Sequence, residues 1–172
     1  MADVETRVRT WRIALPHLDD DGKPLTFSRT AKGNLKLTIT SNSRHHWRQR
    51  SSVTRRLRET AARLITAHGI PPQRFVRVWV ELHHPEPGKK YLMDAGNLAA
   101  MSKPLVDALQ EPRAGKLFPR TGRVVGRAAG AGIVPNDGED FVLQERDRIE
   151  RGSVEYREPR IVLVVEGQEF ER

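Results

Sequence analysis

Cysteine is absent from all 172 residues, which excludes a disulfide framework, a thiolate zinc site and a cysteine nucleophile in one step. Any metal the chain binds must be held by oxygen or imidazole. Aromatic residues make up only 6%, too few for the rows of stacking platforms that single-strand binders use. Long apolar runs are also missing: no stretch approaches the roughly 20 residues of a membrane span, and "MADVETRVRTWRIALPHLDDD" has no apolar segment behind a basic start. These absences lead to the expectation of a soluble, cytoplasmic protein with no membrane partner.

Acidic charge is in short supply relative to basic. Thirty Lys and Arg stand against 22 Asp and Glu, a net charge of +8, and such an excess favours a polyanionic partner, nucleic acid first. The length suits one domain with a real core and leaves little room for a second.

"RVRTWRIAL" (7–15) alternates basic and apolar residues at period two and predicts an edge or half-exposed strand. "NLKLTIT" (34–40) alternates likewise, and the two are expected in one small sheet. From Ser52 the period becomes helical, with Val53, Leu57, Ala61, Leu64, Ile65 and His68 on one face until Gly69 and the Pro71-Pro72 stop. "RFVRVWVELHH" (74–84) predicts a central strand, and "RIVLVVEG" (160–167) a buried one. Leu98, Met101, Leu105 and Leu109 make a second helical face, with Asn97 as its cap and Pro104 expected to kink or restart it. Residues 110–132, rich in Gly and Pro, predict a long, mobile, basic loop. The resulting fold class is α+β: one small domain over residues 1–172, a mixed β-sheet packed against two main helices.

The stretch "SRHHWRQRSSVTRRLRETAARL" sets seven arginines against the single Glu59. Arginine forks suit phosphate oxygens, so Arg44, His46, Arg48, Arg50, Arg55 and Arg56 are candidate DNA-backbone contacts. Arg113, Lys116, Arg120 and Arg123 of the basic loop join them, as a clamp over DNA. The histidine pairs 45–46 and 83–84 are adjacent in sequence and lack the i,i+4 spacing of a helical zinc pair. Trp11, Trp47 and Trp79 are read as core anchors.

Four pieces in order carry a family resemblance: "NSRHHWRQR" (42–50), "VRVWVELHHP" (76–85), "DAGNLAAMSKPLVDAL" (94–109) and "AGIVPNDGED" (131–140). Across residues 35–140 the chain resembles the RusA-like Holliday junction resolvases, common among phage and prophage genes. In that family a strand ends in Asp-x-Asp-Asn-Leu, a helical lysine follows, and an Asp-Asp turn comes later. The acids bind Mg²⁺ or Mn²⁺ beside the scissile phosphate. The resemblance implies Asp94 and Asp137 as catalytic metal ligands and Lys103 as the catalytic lysine, with Asp107 matching the helix acid. Asp107 and Asp140, the latter turned in from the Gly138 turn, are weaker metal candidates, and the i,i+4 spacing of Lys103 and Asp107 is equally that of a surface ion pair, the reading favoured for Asp107. Gly96 stands where the second acid of the pair is expected, and Asn136 where the first acid of the turn is.

Three readings follow. The first is a metal-dependent endonuclease that resolves branched DNA by paired cuts, working as a homodimer because two symmetric cuts call for two sites. The second is a branched-DNA-binding protein of the same fold that has lost chemistry with the acid at Gly96. The third is a basic module for an acidic protein partner.

Overall fold

The period-two and helical patterns fold into nine strands and two α-helices in a computed structural model, which describes residues 6–41, 47–86 and 95–170. In chain order these are β1 (Thr6–Ala14), β2 (Phe27–Arg29), β3 (Leu35–Leu37), α1 (Trp47–Ala67) and β4 (Val76–His84). A 3-10 turn (Ala95–Leu98) leads into α2 (Ala99–Asp107), followed by β5 (Lys116–Phe118), β6 (Arg123–Val125), β7 (Val142–Gln144), β8 (Arg148–Arg151) and β9 (Arg160–Phe170). The architecture is a single α+β domain with a mixed sheet and two helices.

Five strands form the main sheet. β9 lies between β1 and β4 and is antiparallel to both. β4 is central, as its dense β-branched run predicts, and its far edge is shared by two short parallel strands, β7 along Val76–Val78 and β8 along Glu81–His84. Alternation along the strands separates the two faces. Val76, Val78, Val80 and Leu82 of β4, with Ile161, Leu163 and Val165 of β9, pack beneath the helices. Leu57, Ala61 and Ile65 of α1 and Met101 and Leu105 of α2 close that core, each large aliphatic side chain contributing about 1.5–3 kcal/mol by leaving water.

The opposite face carries a polar cluster around Trp79, Val162 and Val164. Arg12 Nη2 and His83 Nε2 both reach Glu81 Oε2 at 2.8 Å, and Trp79 Nε1 donates to Glu81 Oε1 at 2.8 Å.

Four expectations change. β3 joins β2 in a separate two-stranded hairpin, because β9 offers β1 a register from Thr6↔Phe170 to Ala14↔Val162 that the three residues of β3 cannot match. α1 begins at Trp47 rather than Ser52, and Trp47 is 68% exposed with the Arg48 guanidinium over its ring, so it anchors no core. Trp11 and Trp79 are buried, as expected. α2 runs through Pro104 without restarting, and its N-cap is Leu98 with no side-chain hydrogen bond, leaving Asn97 inside the 3-10 turn.

The fourth change is the basic loop, which carries a paired hairpin arm rather than lacking strands. Arg113 and Ala128 exchange both backbone hydrogen bonds, β5 pairs with β6, and Thr121 and Gly122 both donate to the Phe118 carbonyl across the turn. Glycines permit this. Gly122 sits at φ +62°, and a Cβ on Gly130 would fall 2.1 Å from the Gln110 carbonyl oxygen. Among the described residues, no helix is long and apolar enough to cross a membrane.

Candidate functional site

The helical spacing of α2 puts Lys103 and Asp107 one turn apart on the side away from Met101 and Leu105. Lys103 Nζ lies 3.3 Å from Asp107 Oδ1 and 3.5 Å from Asp137 Oδ2, so one ammonium stands between two carboxylates from distant parts of the chain. Asp137 is presented by a tight turn in which Gly138 N donates to Asn136 Oδ1 at 2.8 Å. Asn136, standing where an acid was expected, therefore shapes the turn that carries Asp137.

Asp107 is the better-held carboxylate, only 20% exposed against 72% for Lys103. Arg58 of α1 approaches its other oxygen at 3.7 Å and donates through Nε to the Ala129 carbonyl at 2.6 Å. Burial draws the Arg58 pKa down, against the opposing pull of Asp107 and Asp137. Arg58 Nη2 is buried with no hydrogen-bond partner. Gln110 Nε2 donates to Asp107 Oδ1 at 3.2 Å, and Arg113 Nη2 donates to Gln110 Oε1 at 2.9 Å. A continuous polar chain thus links the Lys103 site to the base of the hairpin arm.

The expected site residues divide into several groups. Asp94, Arg44 and His46 lie outside the described residues. Lys103, Asp107 and Asp137 are brought together, whereas Asp140 is exposed, three residues beyond Asp137. Lys116, Arg120 and Arg123 are exposed along the arm, with Arg113 at its base. Arg48 lies over Trp47, Arg50 is exposed, and Arg55 is 3.8 Å from Glu59.

Arg56 has a different environment from its neighbours. Its side chain is mostly buried, pairs with Asp19 and donates to the Pro24 carbonyl at 3.2 Å. Arg63 likewise pairs with Asp20 at 2.6 Å. The Arg56 hydrogen bond holds the Asp19 carboxyl below its usual range. Two of the arginines in the basic run are therefore already engaged by the turn after β1.

Sequence reasoning did not single out Asp147. β7 and β8 are interrupted at residues 145–147, and there the Asp147 Oδ1 accepts a hydrogen bond from Val80 N at 3.2 Å, replacing a missing ladder partner. Ser102 Oγ of α2 donates to its other oxygen, so Asp147 ties the helix to the central strand. Burial pushes the Asp147 carboxyl up despite these bonds. No spacing rule identifies such a residue, because its role arises from a gap in the sheet. Asp147 also lines an open cleft of about 430 Å³ with Gly96, Ala99, Gln144, Glu145 and Arg146.

Among the described residues no group of three or more His, Asp or Glu side chains is gathered to hold a metal ion. Asp107 and Asp137 share one cation, the Lys103 ammonium. No protein-family model and no curated protein matches the chain.

Proposed function

We propose that this chain is a metal-dependent endodeoxyribonuclease of RusA-like type that resolves four-way or otherwise branched DNA by paired phosphodiester hydrolysis as a homodimer. The observation that carries the reading is the meeting of Lys103, Asp107 and Asp137 at one spot, joined through Gln110 to an arm that bears Arg113, Lys116, Arg120 and Arg123. A phosphate cleaved there would have carboxylates on one side and a basic surface for the flanking backbone on the other.

The cation would be held by Asp107 and Asp137, with Asp94 from the segment preceding the 3-10 turn. A bound Mg²⁺ or Mn²⁺ supplies charge neutralisation at the phosphate and lowers the pKa of a bound water. Lys103, exposed on a flexible stem, turns from its two carboxylates to a phosphate oxygen and meets the developing charge as a point cation. Arg58 and Gln110 keep the Asp107 carboxylate oriented while Lys103 moves.

One observation favours a second reading, a branched-DNA-binding protein without cleavage: Gly96 contributes no carboxylate to the cleft that it lines. The deciding experiment incubates the protein with a labelled four-way junction and a matched duplex in Mg²⁺, Mn²⁺ or chelator. Asp94→Asn and Asp137→Asn are run beside wild type. Symmetric nicks that need metal and both acids, with junction binding retained in the variants, are expected. Tight junction binding without nicks in either metal leaves the binding protein, and no preference for the junction over duplex overturns both.

A further inference from the structure

The arm formed by β5 and β6 exposes more apolar surface than phosphate binding uses. Leu117, Phe118, Val124 and Val125 are 63%, 52%, 53% and 55% exposed on a ribbon only two strands wide. The pairing Lys116↔Val125, Leu117↔Val124 and Phe118↔Arg123 puts Phe118 and Val125 on one face, among Lys116 and Arg123, and Leu117 and Val124 on the other. Val124 borders a cleft of about 810 Å³ that Arg55, Arg113 and Arg127 also line, with Glu59 as its one acid. Both faces of the arm therefore pair apolar side chains with guanidinium or ammonium groups.

An exposed apolar cluster of this kind marks a contact surface, and its charge identifies the partner. From Pro112 to Asn136 the chain has no Asp or Glu, while Arg113, Lys116, Arg120, Arg123 and Arg127 are all cationic. A second copy of the arm would bring like charges together, whereas DNA offers phosphates outside and apolar base faces inside. From Arg113 to Phe118 the strand reaches about 17 Å at roughly 3.3 Å per residue, farther than the ~8.5 Å depth of a major groove. The base of the arm is hydrogen-bonded through Gln110 to Asp107, so a strand that runs along the arm from its base starts next to the candidate site.

We propose that the β5–β6 arm is a strand-separating wedge whose Leu117 and Phe118 enter the base stack at a DNA branch point while the arm's cations hold the flanking phosphates; this rests on the branched-DNA reading above. Apolar side chains inserted between base steps unstack them, and a branch point, where stacking is already interrupted, yields most readily.

The test uses a four-way junction carrying 2-aminopurine at a branch-point base, in chelator so that no strand is cut. Wild type is expected to raise the fluorescence several-fold on binding. The double variant Leu117→Ser with Phe118→Ser loses the contacts inside the stack and binds more weakly, but at saturation, with the arm's cations still on the phosphates, it gives no rise. Arg120→Ala with Arg123→Ala binds more weakly and gives the full rise at saturation. Junction binding by wild type without a rise, or a rise that persists in the Ser variant, overturns the wedge and leaves the branched-DNA reading intact. Absence of junction binding by wild type overturns that reading itself. Loss of a dimer in the Ser variant by sedimentation would assign the arm to a second copy, and wild-type binding to anionic vesicles in preference to the junction would assign it to a lipid surface; either overturns the wedge.

Discussion

Lys103 illustrates how one side chain answers two descriptions at once. It is a surface ion pair with Asp107 of the ordinary i,i+4 kind, worth a few tenths of a kcal/mol, and it is also the cation between two site carboxylates. Mutation separates the two roles. Lys103→Ala should leave thermal stability within about 0.5 kcal/mol of wild type, and should lower single-turnover junction cleavage by roughly 10²-fold, the usual loss on removing one preorganised charge-stabilising donor. Gly96, in the neighbouring cleft beside Ala99 and Asp147, tests the alignment that names the site. A carboxylate at this position would join Glu145 and Asp147 in a cleft that Arg146 also lines. Gly96→Asp is expected to lower the Mg²⁺ concentration needed for half-maximal cleavage, measured by metal titration, and an unchanged or lower rate would sink the alignment with the Asp-x-Asp-Asn-Leu pattern.

At the scale of elements, a half-buried carboxylate, Asp147, adds a polar tie between α2 and the sheet to the packing of Met101 and Leu105. Burial raises the Asp147 carboxyl above its usual value, so the folded state favours the protonated form. That contribution is fully present below the unfolded pKa and is lost as pH rises through the folded value, which leaves a charge held at neutral pH against its desolvation. Asp147→Asn keeps Oδ1 as the acceptor for Val80 N and removes the charge, while its Nδ2 donates to Ser102 Oγ, whose hydroxyl turns to the Leu98 carbonyl. Urea denaturation should find the variant more stable than wild type at neutral pH, with the difference shrinking on acidification. The hairpin arm gives the second element-level prediction. Replacing residues 115–126 with a two-residue turn retains the Arg113–Ala128 bridge and should change stability by no more than about 1 kcal/mol, since loop closure depends weakly on length. The same variant should flatten the salt dependence of junction binding by roughly 0.9 in log–log slope for each phosphate that Lys116, Arg120 and Arg123 no longer neutralise.

The whole molecule is held in register by the polar cluster on the face of the sheet opposite the helices. Burial alone would raise the Glu81 carboxyl, but hydrogen bonds from Trp79, His83 and Arg12 outweigh it and hold the pKa below its usual value. These partners lie on β1 and β4, while Ser153 Oγ meets His83 Nδ1 at 2.9 Å and Arg12 also reaches Glu155, so the cluster ties the β8–β9 connection to the sheet. On the same connection, burial and the neighbouring Glu155 push the Tyr156 hydroxyl up to about 12, so it stays protonated throughout the physiological range. A depressed carboxyl contributes stability above its unfolded pKa and loses it as pH falls through the folded value. Glu81→Gln should therefore cost about 1.5–3 kcal/mol at pH 7, the range for hydrogen bonds to a charged group, because Arg12 is half-exposed and stays solvated, and the gap to wild type should narrow in acid, checked by urea unfolding across pH.

The sequence by itself determined what is local and periodic. Alternation in "RVRTWRIAL" and the apolar density of "VRVWVEL" and "RIVLVV" placed β1, β4 and β9, and helical spacing from Val53 to Ile65 placed α1, because each pattern is the direct signature of one buried face. Lys103, Asp107 and Asp137 could be chosen from their place in the motifs. Only the tertiary structure decided their meeting at a single ammonium, since that depends on how the turn at 136–138 returns beside α2. The basic loop became a hairpin because the pairing of Arg113 with Ala128 is a cross-strand relation that Gly and Pro content conceals. Charge counting treated the arginines of α1 alike, yet Arg56 and Arg63 turn to Asp19 and Asp20 while Arg58 turns to Asp107. Composition sets how much charge a chain carries; packing sets which of those charges already has a partner and which is left to face solvent.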